Sequence, residues 1–275
     1  MYLVFFDNVI FVYKTIKSDW FTNYLYKCQF WVGGTIVSFN SDPATHATQT
    51  IRYFHSNEED FLIVYILEFI EPLNKRIDYE GVIKEYISNI DLSPNFTLAI
   101  WPNQSHIFAI FENGKLTQNL DTPKVLETFK KYDSSLIGSA TYLKPLNKSY
   151  TDFFHLWARR HMKGFQNDID AFMLEGNQLH MLELKRPKES VNTWKPYRAD
   201  MNNYLQFAKL CSNLKCNLTN IAYSEAEKGL LKIFNNVSIS SQGLSYRTAT
   251  VDIKPDENLL TKIRSLTLIE EFSNR

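Results

Sequence analysis

Cysteine is scarce in this chain. Cys28, Cys211 and Cys216 are odd in number and stand at no zinc-like spacing with histidine, which excludes a disulfide framework. They read as buried, reduced thiols, so the expected location is cytoplasmic, in a bacterial or archaeal cell. Long apolar runs are missing too. The longest, Phe61 to Ile70, is too short to span a bilayer and is interrupted by Glu68, so no membrane partner is expected. Met1 to Asp7 lacks a basic segment and a small-residue cleavage site, and reads as no signal peptide. There is no Gly-x-x-x-x-Gly-Lys-Ser/Thr loop, which excludes an ATP motor in this chain. No Ser/His/Asp or Cys/His nucleophile arrangement, internal repeat or low-complexity tract is visible.

Net charge is absent as a sum, with 30 basic and 30 acidic residues, but not as a distribution. Residues 1–145 hold 12 basic against 16 acidic groups, and residues 146–275 hold 18 against 14. Such a split suits either ordinary solvated surface or a phosphate-facing domain beside a neutral one. A hydrophobic share of 44% with 15% aromatics is that of a well-buried globular protein. At 275 residues one large domain or two modest ones are expected.

The first half reads as strand-rich. Leu3–Phe6 and Val9–Tyr13 flank a tight turn at Asp7-Asn8, and Leu25–Phe39 is a β-like stretch broken at Gly33-Gly34 by a bulge or a turn. Ser56 with Glu59 predicts a capped helix running into Phe69, and Tyr79–Ile90 a second one. Phe96–Trp101 and His106–Phe111 read as strands, and Thr122-Pro123 opens a short helix. The polar stretch from Asp133 to Ser149 marks a boundary. It predicts an N-terminal α+β module over 1–145, serving recognition, sensing or dimerisation, and a second domain over 146–275.

In that second domain Tyr150, Phe153, Phe154, Trp157 and His161 share one helical face. A strand Asp170–Leu174, a turn at Glu175-Gly-Asn177 and a strand Leu179–Leu184 come next, then a helix Tyr197–Leu214 and a strand Leu218–Tyr223. Ser224–Phe234 reads as a helix, Val237–Ile253 as two strands, and Pro255–Phe272 as a closing helical segment.

The chemistry lies in the hairpin. Glu183 and Lys185 are two apart in a strand and project from one face, while Leu182 and Leu184 take the other. Charges beside so apolar a strand need partners, because unpaired burial costs several kcal/mol. A turn at Gly176-Asn177 returns the chain so that Asp170 lies near Glu183. Two carboxylates converging there call for a cation, and hard oxygen ligands suit Mg²⁺, with Mn²⁺ as a substitute. A lysine beside them can orient an attacking water. Metal, activated water and phosphate are the parts that phosphodiester hydrolysis requires.

Asp170 followed thirteen residues later by Glu183-Leu184-Lys185 resembles the PD-(D/E)xK nuclease superfamily, over roughly residues 150–223. The resemblance implies an α/β, restriction-endonuclease-like core: a mixed sheet flanked by helices. It implies metal ligation by Asp170, Glu183 and the backbone carbonyl of Leu184, with Lys185 positioning the nucleophile. The motif's proline is replaced by Ile169. Asp168 can stand in for Asp170 in a shifted register, or support the site. The family's extra strand before the Asp strand is either short here or supplied from elsewhere. Asp200 stands four residues before Tyr204, where some branches carry a glutamine.

Arg159, Arg160, Lys163, Arg186, Lys188, Lys195 and Arg198 surround this segment in sequence and are the candidate phosphate contacts. His155, His161 and His180 lie nearby without zinc spacing. Trp194 to Tyr197 offers aromatics for stacking on bases or for sealing a core. The function expected is Mg²⁺-dependent cleavage of double-stranded DNA by a homodimeric enzyme of the type II restriction kind. A structure-specific, single-strand or RNA nuclease of defence or repair is the first alternative. A nuclease-fold binding protein without catalysis is the second.

Overall fold

A computed structural model describes residues 2–6, 9–13, 19–39, 43–56, 60–90, 92–138, 153–240, 243–265 and 269–273. The turn at Asp7-Asn8, Glu59 of the expected helix cap, Tyr150 and the boundary stretch beyond Gly138 lie outside them. In chain order come β1 (Tyr2–Phe6), β2 (Val9–Tyr13), α1 (Trp20–Lys27), β3 (Trp31–Val32), β4 (Thr35–Ser38), β5 (His46–His55), β6 (Leu62–Phe69) and α2 (Tyr79–Ser88). Next are β7 (Phe96–Trp101), β8 (Ile107–Glu112), β9 (Lys115–Leu120), α3 (Thr122–Tyr132), α4 (Phe153–His161), β10 (Phe165–Ile169), β11 (Ala171–Glu175) and β12 (Gln178–Lys185). The chain continues through α5 (Met201–Leu214), β13 (Asn217–Tyr223), β14 (Leu230–Ser240), β15 (Gly243–Asp252), α6 (Leu259–Arg264) and β16 (Ile269–Ser273). The protein is therefore mixed α and β, with two mixed seven-stranded sheets and a separate β1–β2 pair. Among the described residues no helix is long and apolar enough to cross a membrane.

The chain divides into two compact units, but not at a single point. Unit 1 is Met1–Ile16 with Gly34–Asp168, and unit 2 is Lys17–Gly33 with Ile169–Arg275. The sequence-based boundary at 145/146 thus differs from the division by contacts at both ends. The physical reason in unit 1 is the apolar face of α4: Phe154, Trp157 and Ala158 are packed into a core with Val64, Leu98, Val125 and Phe129.

The sheet of unit 1 runs β10-β5-β6-β7-β8-β9, with β4 also pairing β5. Its centre corrects one expectation. Leu62–Phe69 is a strand and not the end of a helix, and every residue in it except Glu68 is buried. Tyr65 and Phe69 meet Tyr86 and Tyr79 of α2 on one face. Leu62, Val64 and Ile66 face α3 and α4 on the other. A strand covered on both sides is apolar all round, and periodicity alone cannot separate it from a buried helix.

The sheet of unit 2 runs β16-β15-β14-β13-β12-β11-β3. β11 and β12 form an antiparallel hairpin with Glu175 opposite Gln178, so Gly176-Asn177 is its two-residue turn, and Gly176 has φ +59°. The long connection through α5 then brings β13 parallel to β12. Two further expectations are corrected. Leu230–Ser240 is a strand on β13, where the sequence suggests a helix to Phe234, and the closing segment splits into α6 and β16. Trp20–Lys27 is a helix, although Leu25 onward reads as β-like: Asp19 caps it by accepting from the Thr22 N–H at 2.7 Å. Phe21 of α1 packs on Tyr223 of β13 at 4.7 Å between ring centres. A strand, β10 (Phe165–Ile169), does precede Asp170, but it lies in the sheet of unit 1, while β3 pairs with β11 at the edge of the unit 2 sheet.

Gly33 stands directly after β3. Its N–H donates to the Asp170 carbonyl at 2.8 Å, and a Cβ there would sit 2.8 Å from the Ile169 carbonyl oxygen. Only glycine lets the chain pass so close. In unit 1 the corresponding constraint is ionic. Arg52, 2% exposed, makes a two-pronged pair with Asp168, Nε to Oδ1 at 2.8 Å and Nη2 to Oδ2 at 3.1 Å. Its Nη2 also lies 3.0 Å from His155 Nδ1. Replacing Asp168 by alanine leaves that guanidinium buried without its counter-charge. The expected loss is about 3 kcal/mol, read as a lower urea midpoint with unchanged slope.

Candidate active site

The register of the hairpin decides the geometry. Ala171 is opposite Leu182, so one step outward Asp170 is opposite Glu183, on the face that also carries Lys185. The two carboxyl groups lie near enough that, beyond the effect of burial, the Glu183 charge raises the pKa of Asp170. Asp170 Oδ2 accepts from the Leu184 N–H at 2.8 Å, which ties the carboxylate to the strand beside it. Lys185 Nζ lies 2.8 Å from Glu183 Oε1 and 3.6 Å from Asp200 Oδ2, and 5.5 Å above the ring of Tyr204 on α5.

Burial sets the electrostatics. Glu183 is 5% exposed. Desolvation, then the Glu183 charge, hold the Asp170 carboxyl well above the ordinary carboxylate range, against the pull of the Leu184 N–H and Lys185. For Lys185 burial presses the ammonium toward neutrality. The Glu183 carboxylate beside it, Tyr204 and Asp170 together outweigh that and raise its pKa. Burial also raises the Tyr204 phenol, against the opposing charge of Lys185.

The other residues anticipated from sequence are dispersed. Asp168 is committed to Arg52 in unit 1, and so takes no part in the cluster around Asp170. Arg159, Arg160 and Lys163 also belong to unit 1, on α4 and just after it. Arg186, Lys188 and Lys195 are exposed in unit 2, and Arg186 Nη1 lies 3.7 Å from Asp19. The side chain of Arg198 lies outside the described residues. His161 sits 5.4 Å from the Trp157 ring, and buried His180 is 3.7 Å from Glu175. Desolvation lowers the pKa of both histidines. Trp194 is fully buried against Phe234 at 5.2 Å, so it seals a core, while Tyr197 is exposed.

Asn220 was not anticipated. It is the β13 partner of Glu183, so the two side chains share a face, and it is fully buried. Neither of its amide atoms has a hydrogen-bond partner among the described residues. The sequence signal was an asparagine inside the apolar strand Leu218–Tyr223.

Among the described residues no group of three or more histidine, cysteine or acidic side chains is arranged to hold a metal. Two neighbouring carboxylates, Glu183 buried and Asp170 half-buried, do nevertheless suit a cation. Their mutual repulsion is relieved by a proton or by a metal, and both present hard oxygen donors. The Leu184 carbonyl belongs to the strand between them and Lys185.

A carboxyl whose pKa is raised by folding favours the folded state below its ordinary value, and that contribution is lost as pH rises toward the folded value. Asp170→Asn removes the charge and keeps the acceptor for Leu184. It should raise the melting temperature of the metal-free protein by a few degrees at neutral pH, on the order of 1 kcal/mol, and by nothing near pH 4. Equal melting shifts at both pH values would show that the two carboxyls do not compete in the fold. The chain matches no protein-family model, no curated protein and no solved structure, so what this site does is read from its own residues.

Proposed function

We propose that unit 2 is a divalent-metal-dependent nuclease of the PD-(D/E)xK kind and that Asp170, Glu183 and Lys185 form its active site. The observation that carries this is the meeting of Asp170 and Glu183 on one sheet face, with the Lys185 ammonium 2.8 Å from Glu183. The order around it supports the same reading: helix α1, strand β3, hairpin β11–β12, helix α5 and parallel strand β13.

Asp170 and Glu183 would hold Mg²⁺ or Mn²⁺, with the Leu184 carbonyl as a third ligand. When bound, the ion supplies charge stabilisation at the phosphate and a water more acidic than in bulk. Lys185 carries three N–H donors, which orient the attacking water and stabilise negative charge on the phosphate oxygens. The Leu184 N–H keeps the Asp170 carboxylate from rotating away. In the reaction a water oxygen bonds to phosphorus and the bond from phosphorus to a sugar oxygen breaks. That oxygen departs as a hydroxyl, the proton coming from the water. Arg186, Lys188 and Lys195 are the exposed cations of this unit proposed to face the phosphate backbone.

Duplex DNA and a restriction-type role as a homodimer are the finer proposal, drawn from the resemblance of the motif. A second reading draws on the same ion pair: Lys185 neutralises Glu183, and the fold binds nucleic acid without cutting it.

Purified protein with Mg²⁺ or Mn²⁺ should degrade one of four substrates: supercoiled duplex, linear duplex, single-stranded DNA or RNA. Cutting should stop with EDTA. Lys185→Ala should lower the rate at least ~100-fold while changing affinity for the substrate less than about threefold. Discrete fragments from a long duplex select the restriction role. Binding without cleavage under either metal selects the second reading.

A further inference from the structure

The two units repeat one topology. In unit 1, β4 pairs antiparallel with β5, β5 antiparallel with β6, β6 parallel with β7, β7 antiparallel with β8 and β8 antiparallel with β9. In unit 2 the same five orientations run through β3, β11, β12, β13, β14 and β15. The helix that makes the parallel crossover, α2 or α5, falls at the same place in each.

Register makes the match residue by residue. The parallel ladders open at Val64 opposite Phe96 and at His180 opposite Asn217. Counting from there, Leu67 with Ala99 falls on Glu183 with Asn220. Phe69, the last residue of β6, falls on Lys185, the last of β12. Across the hairpin Gln49 is opposite Leu67, as Asp170 is opposite Glu183. The faces agree as well. α2 covers the Leu67 face through Tyr79 and Tyr86, and α5 covers the Glu183 face through Tyr204.

At the matching positions the chemistry is gone. Gln49 is fully buried, and its amide is held by Thr35 at 3.0 Å and by the hydroxyls of Tyr65 and Tyr86. Leu67 is apolar, and Phe69 stacks on Trp101 at 4.5 Å. Glu68, the one acid of β6, lies on the opposite face, where it accepts from the N–H groups of Phe153 and Phe154 and caps α4. This corrects the absence of a repeat in the sequence: the copies share strand order and register, not residue types.

We infer that the chain is an internal duplication whose first copy is catalytically blank, so that one chain carries one hydrolytic centre and severs one strand of a duplex. The inference rests on the hydrolytic reading of unit 2. Supercoiled plasmid in excess over the full-length protein, with Mg²⁺ and at a dilution where light scattering shows single chains, should give open circles first and linear DNA only later. Cleavage should vanish in the double variant Asp170→Asn, Glu183→Gln. Linear DNA formed without an open-circle intermediate would overturn the inference, as would cleavage that survives the double variant. If the wild type cuts no nucleic acid the hydrolytic reading fails, and in that case, or if it cuts only single strands, Mn²⁺ binding followed by electron paramagnetic resonance still tests the blank copy. Mn²⁺ lost entirely from the double variant supports it. Mn²⁺ retained by the double variant but lost when Gln49→Leu is added would place a second site in unit 1 and refute it.

Discussion

The meeting of two carboxylates across the β11–β12 hairpin is the constraint around which unit 2 is arranged. A two-residue turn fixes the register, and the register sets Asp170, one residue before the Ala171–Leu182 pair, beside Glu183 and Leu184. Everything adjacent answers that repulsion. The Leu184 N–H takes one Asp170 oxygen, and Lys185 lies against Glu183. Gly33 omits a side chain so that β3 can close on the backbone of Asp170 itself. Well-packed apolar side chains in their place would serve stability as well or better. Unit 1 carries that comparison within the same chain, with leucine, phenylalanine and a tied glutamine on the same framework.

Part of this was legible in the sequence, for definite reasons. Strand alternation put Glu183 and Lys185 on one face, and the Gly176-Asn177 turn located the hairpin, because both are local properties of a few residues. The choice between Asp168 and Asp170 was not local. Arg52, more than a hundred residues away, takes Asp168 and leaves Asp170 to the hairpin. β6 and β14 looked helical because a strand buried on both faces, or bounded by polar turns, shows no alternation. Their identity comes from ladders with β5, β7, β13 and β15. α1 was hidden by its aromatics, which suit a strand equally well until Asp19 caps the helix.

The duplication was hidden by the same logic. Register and strand order are properties of pairing, and pairing tolerates almost any side chain that suits its face. Asp170 and Gln49 each accept a glycine N–H through their carbonyl oxygens, from Gly33 and Gly34, while their side chains do unrelated things. Function in unit 2 and packing in unit 1 have therefore drawn different residues onto equal positions.

The interleaving of the units has a consequence for how the molecule is made. Unit 2 opens with Lys17–Gly33 and resumes only at Ile169. During synthesis α1 and β3 leave the ribosome with no sheet to join, while the whole of unit 1 from Gly34 onward can assemble behind them. Asp170, Glu183 and Lys185 emerge only after unit 1, and the hairpin closes against a strand that has waited for well over a hundred residues. Unit 2 therefore cannot be complete on any nascent chain that has not already delivered the whole of unit 1.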